Sequence, residues 1–483
     1  MAHVKRNSKI KIVFFSLLFT ILLCSNFELL NGAFLQSSLE NYLRLLDLGK
    51  SIATSLISSE PGSLVRASNI AVVGQSHFSD ELKGHLIIYT FDNTELNIES
   101  DLLFQIKKMN TVACDIAKGD VDGDNYIEMI VTGYAWENND IIAWLQIYEW
   151  DNQTLTLVDT ATWYGFLDDS PFGTSLSVKI KDLNGDGVKE IVTCGSTGVE
   201  GKVNSELVVW GFNSKLHKLD AINWNHGQGE WSSAEDVTLG CLNEEIKIVT
   251  GGYCSDAMGT AMADLNVLSF TNQITLNDNK NWGSVGDTAV LGIFVQNNTV
   301  FTAGFSNDGT HNQGQVTKWN LENLARKSSV EWFTVSDTIA NDLCVADIDN
   351  DDIVDIVTGG WANNATTELS QLRVWNLDLT LKDSEEWYTN NDSGIFAVHL
   401  ENVDDDNRLE ILTAGYTDNY SSKEVTIWEY PNNADPQLGI RHVDSDHIST
   451  TVPIFQTEVI ILILVTILTA GALIGVYLYK RKN

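Results

Sequence analysis

The chain of 483 residues carries a formal net charge of −35 at pH 7. With 43% hydrophobic residues it can fill a sizeable core, which excludes a disordered acidic chain. Phosphate binding needs a basic surface, so nucleic acid is excluded as a partner.

The N-terminus sets Lys5, Arg6, Lys9 and Lys11 before an apolar run over 12–24, followed by "NGAF". That run is too short to span a bilayer. Basic flank, short apolar run and small residues predict a secretory signal peptide over 1–33, with a retained signal anchor as the competing reading.

Beyond it, seven related segments end in a glycine after an apolar run: Gly74, Gly133, Gly195, Gly252, Gly304, Gly360 and Gly415, spaced 52–62 residues apart. Fifteen residues after five of these glycines stands an aromatic: Tyr89, Tyr148, Trp210, Trp319 and Trp375. A later run ends in Phe104, Trp163, Trp224, Trp282, Trp332 and Trp387. Each repeat holds four short runs rich in β-branched and aromatic residues, bounded by turn formers. Seven such repeats predict an all-β fold, a seven-bladed β-propeller over 34–430. An open solenoid is the alternative, but it would leave a terminal sheet exposed. The seventh repeat shows only three clear runs. The segment 34–48 is therefore a candidate fourth strand joining the last blade to the first; its Leu35, Leu39, Tyr42 and Leu46 also fit a short amphipathic helix.

Four repeats carry an acidic loop that begins thirteen residues before the glycine. The side chains at positions 1, 3, 5 and 9 are Asp120, Asp122, Asp124 and Glu128; Asp182, Asn184, Asp186 and Glu190; Asp347, Asp349, Asp351 and Asp355; and Asn402, Asp404, Asp406 and Glu410. Like charges this close repel, unless a cation turns repulsion into attraction. A tight loop can turn these oxygens inward, with a main-chain carbonyl at position 7 from Tyr126, Val188, Ile353 or Arg408. Hard oxygen ligands, about six to eight of them, suit calcium. The expectation is about four Ca2+ sites; the competing reading is an acidic solvated turn, since Asp, Asn and Gly favour turns. The first, fourth and fifth repeats lack the carboxylates and are expected to hold no ion.

The stretch "FGTSLSVKIKDLNGDGVKEIVTCG" over 172–195 resembles the FG-GAP repeat of integrin alpha-chain propellers and of secreted bacterial and archaeal proteins. The matching residues are Phe172, Gly173, the loop 182–190 and the apolar strand after it. The other repeats keep the loop or the strand and lose the Phe-Gly pair. The resemblance covers about 65–430. It implies loops that join the two inner strands of a blade, on the face away from the usual ligand surface, with calcium in a structural role.

The connections after each glycine then emerge on the opposite face. An aromatic follows the glycine at Tyr134, Tyr253, Phe305, Trp361 and Tyr416. These rings either fill gaps between blades or, with the long polar loops beyond them, bind an extracellular protein or glycan ligand. No nucleophile–base pair or metal-binding histidine pair is legible. The leading function is cell-surface recognition or adhesion; a polysaccharide-processing enzyme on the same scaffold is the alternative. Cys114, Cys194, Cys241, Cys254 and Cys344 form no disulfide framework and leave room for a single bridge.

Residues 431–456 are polar, lack the repeat and read as a stalk. Residues 457–479 include 21 uncharged positions, enough to cross a bilayer once, and "KRKN" at 480–483 predicts a cytoplasmic tail. The protein is thus expected in the cell membrane, single-pass, with the propeller outside. Gly471 and Gly475 share one face of the span and would permit weak self-association. Five glycosylation sequons start at Asn152, Asn297, Asn364, Asn391 and Asn419.

Overall fold

The computed structural model describes residues 52–57, 68–430 and 440–449, apart from 79–80, 92–94, 125, 152, 168–169, 365, 389–390, 405, 407 and 418–421. Seven antiparallel sheets are built from strands consecutive in sequence, four to a sheet, with a fifth short strand, Gly165–Leu167, on the third. The second blade is typical: Asn110–Gly119, Glu128–Glu137, Asp140–Trp150 and Leu155–Trp163. The first strand of a blade lines the axis and the chain then steps outward. This is the predicted all-β propeller of seven blades.

Position in the blade dictates composition. Second strands are covered on both faces by neighbouring blades, so they read as unbroken apolar runs; Glu128–Glu137 is buried over its first eight residues. Outer strands such as Leu381–Trp387 mix exposed and half-buried positions, with none fully buried. The repeat glycine has a steric cause. Each first strand bulges beside it, between Ala113 and Asp115 or between Ala340 and Asp342. A Cβ on Gly133 would lie 2.0 Å from Val112 O, and one on Gly360 2.0 Å from Ile339 O.

Two repeated bonds fasten blade to blade. The tryptophan ending an outer strand donates from Nε1 to the residue that pairs with the next blade's repeat glycine. Trp163 meets Glu206 at 2.9 Å, Trp224 meets Asp264 at 3.0 Å, Trp282 meets Gln315 at 3.3 Å, Trp332 meets Gln371 at 2.8 Å and Trp387 meets Glu424 at 3.1 Å. Near the axis, Asp115, Asp236 and Asp342 each accept, at 2.8 Å, a main-chain N–H from the next blade's first strand: Val178, Ile293 and Val398.

Closure departs from the expectation. The fourth strand of the seventh sheet is Arg441–Ser449, paired with Ser422–Glu429. These residues belong to the segment read as a stalk, so the propeller reaches Ser449. The seventh sheet has its four strands without 34–48, which lies outside the described residues. Sequence reasoning missed this strand because outer strands are polar: "RHVDSDHIS" looks like a linker unless a partner edge is known to be there. The first blade likewise has its own axial strand, Ile52–Ile57. Residues 1–33 and 457–479 also lie outside the described residues. Among the described residues, no helix is long and apolar enough to cross a membrane.

Candidate functional site

The four acidic loops connect first to second strands, and all emerge on one face. A common hydrogen-bond frame shapes them. The N–H at position 7 donates to the position 5 carboxylate at 2.8 Å in every case: Tyr126 to Asp124, Val188 to Asp186, Ile353 to Asp351 and Arg408 to Asp406. Left-handed conformations at Gly123, Gly185 and Asn350 let the chain double back. The position 7 side chains of Tyr126, Val188 and Ile353 point to solvent, as expected of residues that offer only a carbonyl. In three loops the position 9 glutamate caps the N–H at position 2, at 2.8 Å: Glu128 to Val121, Glu190 to Leu183 and Glu410 to Val403.

The carboxylates converge to different degrees. Ligand oxygens of Asp120, Asp122 and Glu128 lie within 4.8 Å of one another, as do those of Asp347, Asp349 and Asp351, and of Asp404, Asp406 and Glu410. In the third-blade loop Asn184 donates from Nδ2 to Glu190 Oε1 at 2.7 Å, which binds the amide to the ring itself. Burial, with the charges of Asp122, Asp124 and Asp120 adding to it, pushes Glu128 up to about 7; burial and the charges of Asp404 and Asp406 do the same to Glu410. Three buried oxygens aimed at these loops accept no hydrogen bond: Asp349 Oδ1, Asp355 Oδ2 and Asn402 Oδ1. A buried acceptor left unpaired is costly, and a cation is the partner such oxygens fit.

Two loops already meet a side-chain cation. Arg408 Nε donates to Asp406 Oδ2 at 2.6 Å on the surface. Lys382, from the outer strand of the sixth blade, reaches Asp349 Oδ2 at 2.7 Å and Asp355 Oδ1 at 2.8 Å. Burial opposes its charge, but these two carboxylates win and hold the ammonium above the ordinary lysine range.

The opposite face carries the connections from second to third strands and from blade to blade. They are bonded together there: Asp287, Asp337 and Asp392 cap the N–H groups of Ala261, Asn312 and Glu368 at 2.9, 2.7 and 2.9 Å. Of the aromatics after the repeat glycine, Tyr134, Phe305 and Tyr416 are buried and pack between blades. They are not a ligand surface. Instead Tyr164, Phe166, Met258, Val285, Phe333 and Tyr388, spread over blades two to seven, are 46–83% exposed on these connections. Sequence reasoning overlooked them because most follow the outer-strand tryptophans and Met258 sits in a strand-to-strand connection, each among turn residues.

The axis holds a cavity of about 850 Å³ lined by Asp115, Lys179, Glu235, Asp236, Asp342 and His399, among others. Lys179 Nζ lies 3.1 Å from Asp115 Oδ2. Burial, then the charge of Asp236, pushes Asp342 up to about 7. Three of these acids are the blade-to-blade fasteners described above.

A further cluster was invisible in sequence. At the junction of the first and seventh blades, Ser76, His85, Asp101 and Lys423 assemble. Ser76 Oγ lies 2.7 Å from His85 Nδ1, His85 Nε2 lies 2.5 Å from Asp101 Oδ1, and Lys423 Nζ donates to Ser76 Oγ at 2.9 Å and contacts Nδ1. Nδ1 faces two donors, so the neutral ring carries its proton on Nε2. Burial, then the Lys423 charge, lowers His85 to about 4; burial lowers Lys423 well below the usual lysine value. Ser76 and His85 are 2% and 3% exposed, out of reach of any substrate carbonyl, so this serine–histidine–aspartate order closes the ring rather than catalysing. The five cysteines among the described residues are free.

No family model and no curated protein matches the sequence. Among solved structures the chain is similar to Sqt1 of Chaetomium thermophilum bound to the N-terminus of ribosomal protein L10, at 11% identity and a TM-score of 0.43, over 82% of this chain and 87% of that one. It is also similar to the Dos1 propeller, at 11% identity and 0.46, over 82% and 84%. A Chaetomium thermophilum Polycomb Repressive Complex 2 chain matches at 8% identity and 0.43, over 68% and 69%.

Proposed function

We propose that the chain is a membrane-anchored, extracellular, FG-GAP-like propeller that holds calcium in its acidic loops and recognises a protein or glycan with the opposite face. The observation that carries this reading is the division of labour between the faces. Acidic loops with unpaired buried oxygens crowd one of them, and exposed aromatic and apolar side chains stud the other. Exposed rings on rigid connections are what partner proteins and sugars pack against.

The loop residues fit the ion. Asp120, Asp122, Asp124 and Glu128 supply carboxylates in the second blade, with corresponding sets in the third and seventh, and the position 7 carbonyls complete each set; the sixth-blade set has the same spacing but already meets Lys382. Bound calcium would supply positive charge that neutralises each loop and fixes the first strand to the second. The chain itself does the rest: the capping glutamates hold the loops in shape, and the interblade fasteners keep the far face rigid. The apolar 457–479 segment and the flanking "KRKN" support anchoring with the propeller outside.

The test is binding of the fluorescent full chain in lipid nanodiscs to intact cells. Phe333→Ser combined with Tyr388→Ser should reduce binding at least tenfold while leaving the melting temperature unchanged. Equal binding by the folded double variant would remove this face from recognition.

A further inference from the structure

The sixth-blade loop differs from the other three in a way its spacing does not show. Position 9 is Asp355 there and glutamate in the others. The glutamates reach back to cap position 2; Asp355, one methylene shorter, faces the same N–H of Ile348 but also binds Lys382 Nζ at 2.8 Å, a contact that none of the glutamates makes. Position 3 does the same, Asp349 lying 2.7 Å from that ammonium. Both carboxylate side chains are 3% exposed. The ring of Tyr430 lies 5.5 Å from Lys382 Nζ and helps hold the ammonium in place.

Comparison within the chain shows that the position of Lys382 is peculiar to the sixth blade. It occupies the bulge of the outer strand, the one residue skipped between Leu381 and Asp383 in pairing with Trp375 and Val374. In the other blades with acidic loops the same bulge holds Val158, Leu219 and Val443, none of which carries charge. In the second and seventh blades the position 9 carboxylate joins the converging group; in the sixth the group is Asp347, Asp349 and Asp351, without Asp355. Arg408 of the seventh loop is a weaker parallel, since it is more exposed than Lys382 and its ion pair is with Asp406.

We infer that Lys382 is the resident counter-ion of the sixth-blade loop, which therefore takes no calcium, so that the protein holds three ions rather than four. The inference rests on the calcium reading of the other loops. A divalent ion beside this half-buried ammonium would meet repulsion, and both carboxylates would have to release a charge-assisted bond. The capacity is masked, not absent: Asp349 Oδ1 and Asp355 Oδ2 are buried and accept no bond, so removal of the ammonium would free a full set of oxygens.

Equilibrium dialysis of the full chain in nanodiscs against radioactive calcium counts the bound ions. The wild type should bind three, and Lys382→Met four. Asp349→Asn should stay at three, whereas Asp122→Asn should fall to two. These neutral substitutions keep side-chain volume and decide the matter even if Lys382→Met fails to fold. Four ions in the wild type, a loss of one in Asp349→Asn, or an unchanged count in folded Lys382→Met would overturn the role of Lys382. Zero ions in every form would instead refute the calcium reading from which it starts.

Discussion

Single side chains in this propeller act across blades more than within them. The outer-strand tryptophans form a graded series that separates packing from hydrogen bonding. Trp332 donates to the neutral amide of Gln371, and Trp387 to the carboxylate of Glu424. Phenylalanine keeps most of the ring and removes the donor. Bonds to neutral groups contribute about 0.5–1.5 kcal/mol and bonds to charged groups about 1.5–3. Trp387→Phe should therefore destabilise more than Trp332→Phe, a ranking that urea midpoints will read directly. Near the axis, Asp342→Ala would strand two main-chain donors, Val398 N at 2.8 Å and Leu343 N at 2.7 Å from the lost oxygens. It should cost about 2–4 kcal/mol by the same measurement, while a substitution on an exposed outer-strand position such as Glu385 should cost little.

At the scale of elements, the junction of first and seventh blades is the odd member of a ring of similar contacts. In blades one to six the outer aromatic pairs with a small residue, from Gly84 with Phe104 to Ser370 with Trp387. In the seventh blade that pair is Lys423 and Ile448. Lys423 therefore replaces an indole N–H as the donor, and His85, the partner of Gly74, replaces Glu206 or Gln371 as the acceptor. This places a buried imidazole in the junction. His85 is lowered in the folded state, to about 4 from 6.5. A base depressed in this way contributes stability that is fully present above pH 6.5 and is lost as pH falls toward 4, because the unfolded chain takes up the proton first. The loss is about 2 kcal/mol at pH 5 and approaches about 3 kcal/mol near pH 4. His85→Gln keeps an acceptor for Lys423 and cannot titrate. The difference in unfolding free energy between wild type and His85→Gln, measured at pH 7 and pH 4.5, should shrink or reverse at the lower pH; a constant difference would show that His85 takes no part in the acid response.

The whole molecule joins an acidic surface to acidic loops for which calcium is the proposed ligand. An ion bound only by the folded state adds about 2.7 kcal/mol at 100 times its dissociation constant. Extracellular calcium modules bind at about 0.1–1 mM, so at millimolar calcium each occupied loop adds roughly 0.4–1.4 kcal/mol. Chelation should lower the melting temperature by a few degrees without unfolding the seven sheets, and Asp122→Ala should remove about one loop's share. Superimposed melting curves with calcium and with chelator would leave the loops as acidic turns. Orientation is checked separately: protease added to intact cells should release the propeller by cutting after Ser449, and protection would place it inside.

Seven glycines with aromatics in register were enough, in sequence, for seven blades of four strands, since burial on both faces imposes continuous apolar runs on the inner strands. The acidic loops were legible for the same local reason: positions 1, 3, 5 and 9 lie within one turn of chain, and Gly123 or Gly185 supplies the left-handed residue that closes it. What lay beyond local spacing stayed hidden. The last outer strand, Arg441–Ser449, has a polar sequence, and only its pairing edge reveals it. Lys382 lies 33 residues from Asp349, and Lys423 lies 338 from His85. Pattern along the chain cannot place an ammonium on a distant carboxylate or imidazole; ring closure and the outer-strand bulge do, and they decided which loop meets a lysine and which junction holds an imidazole.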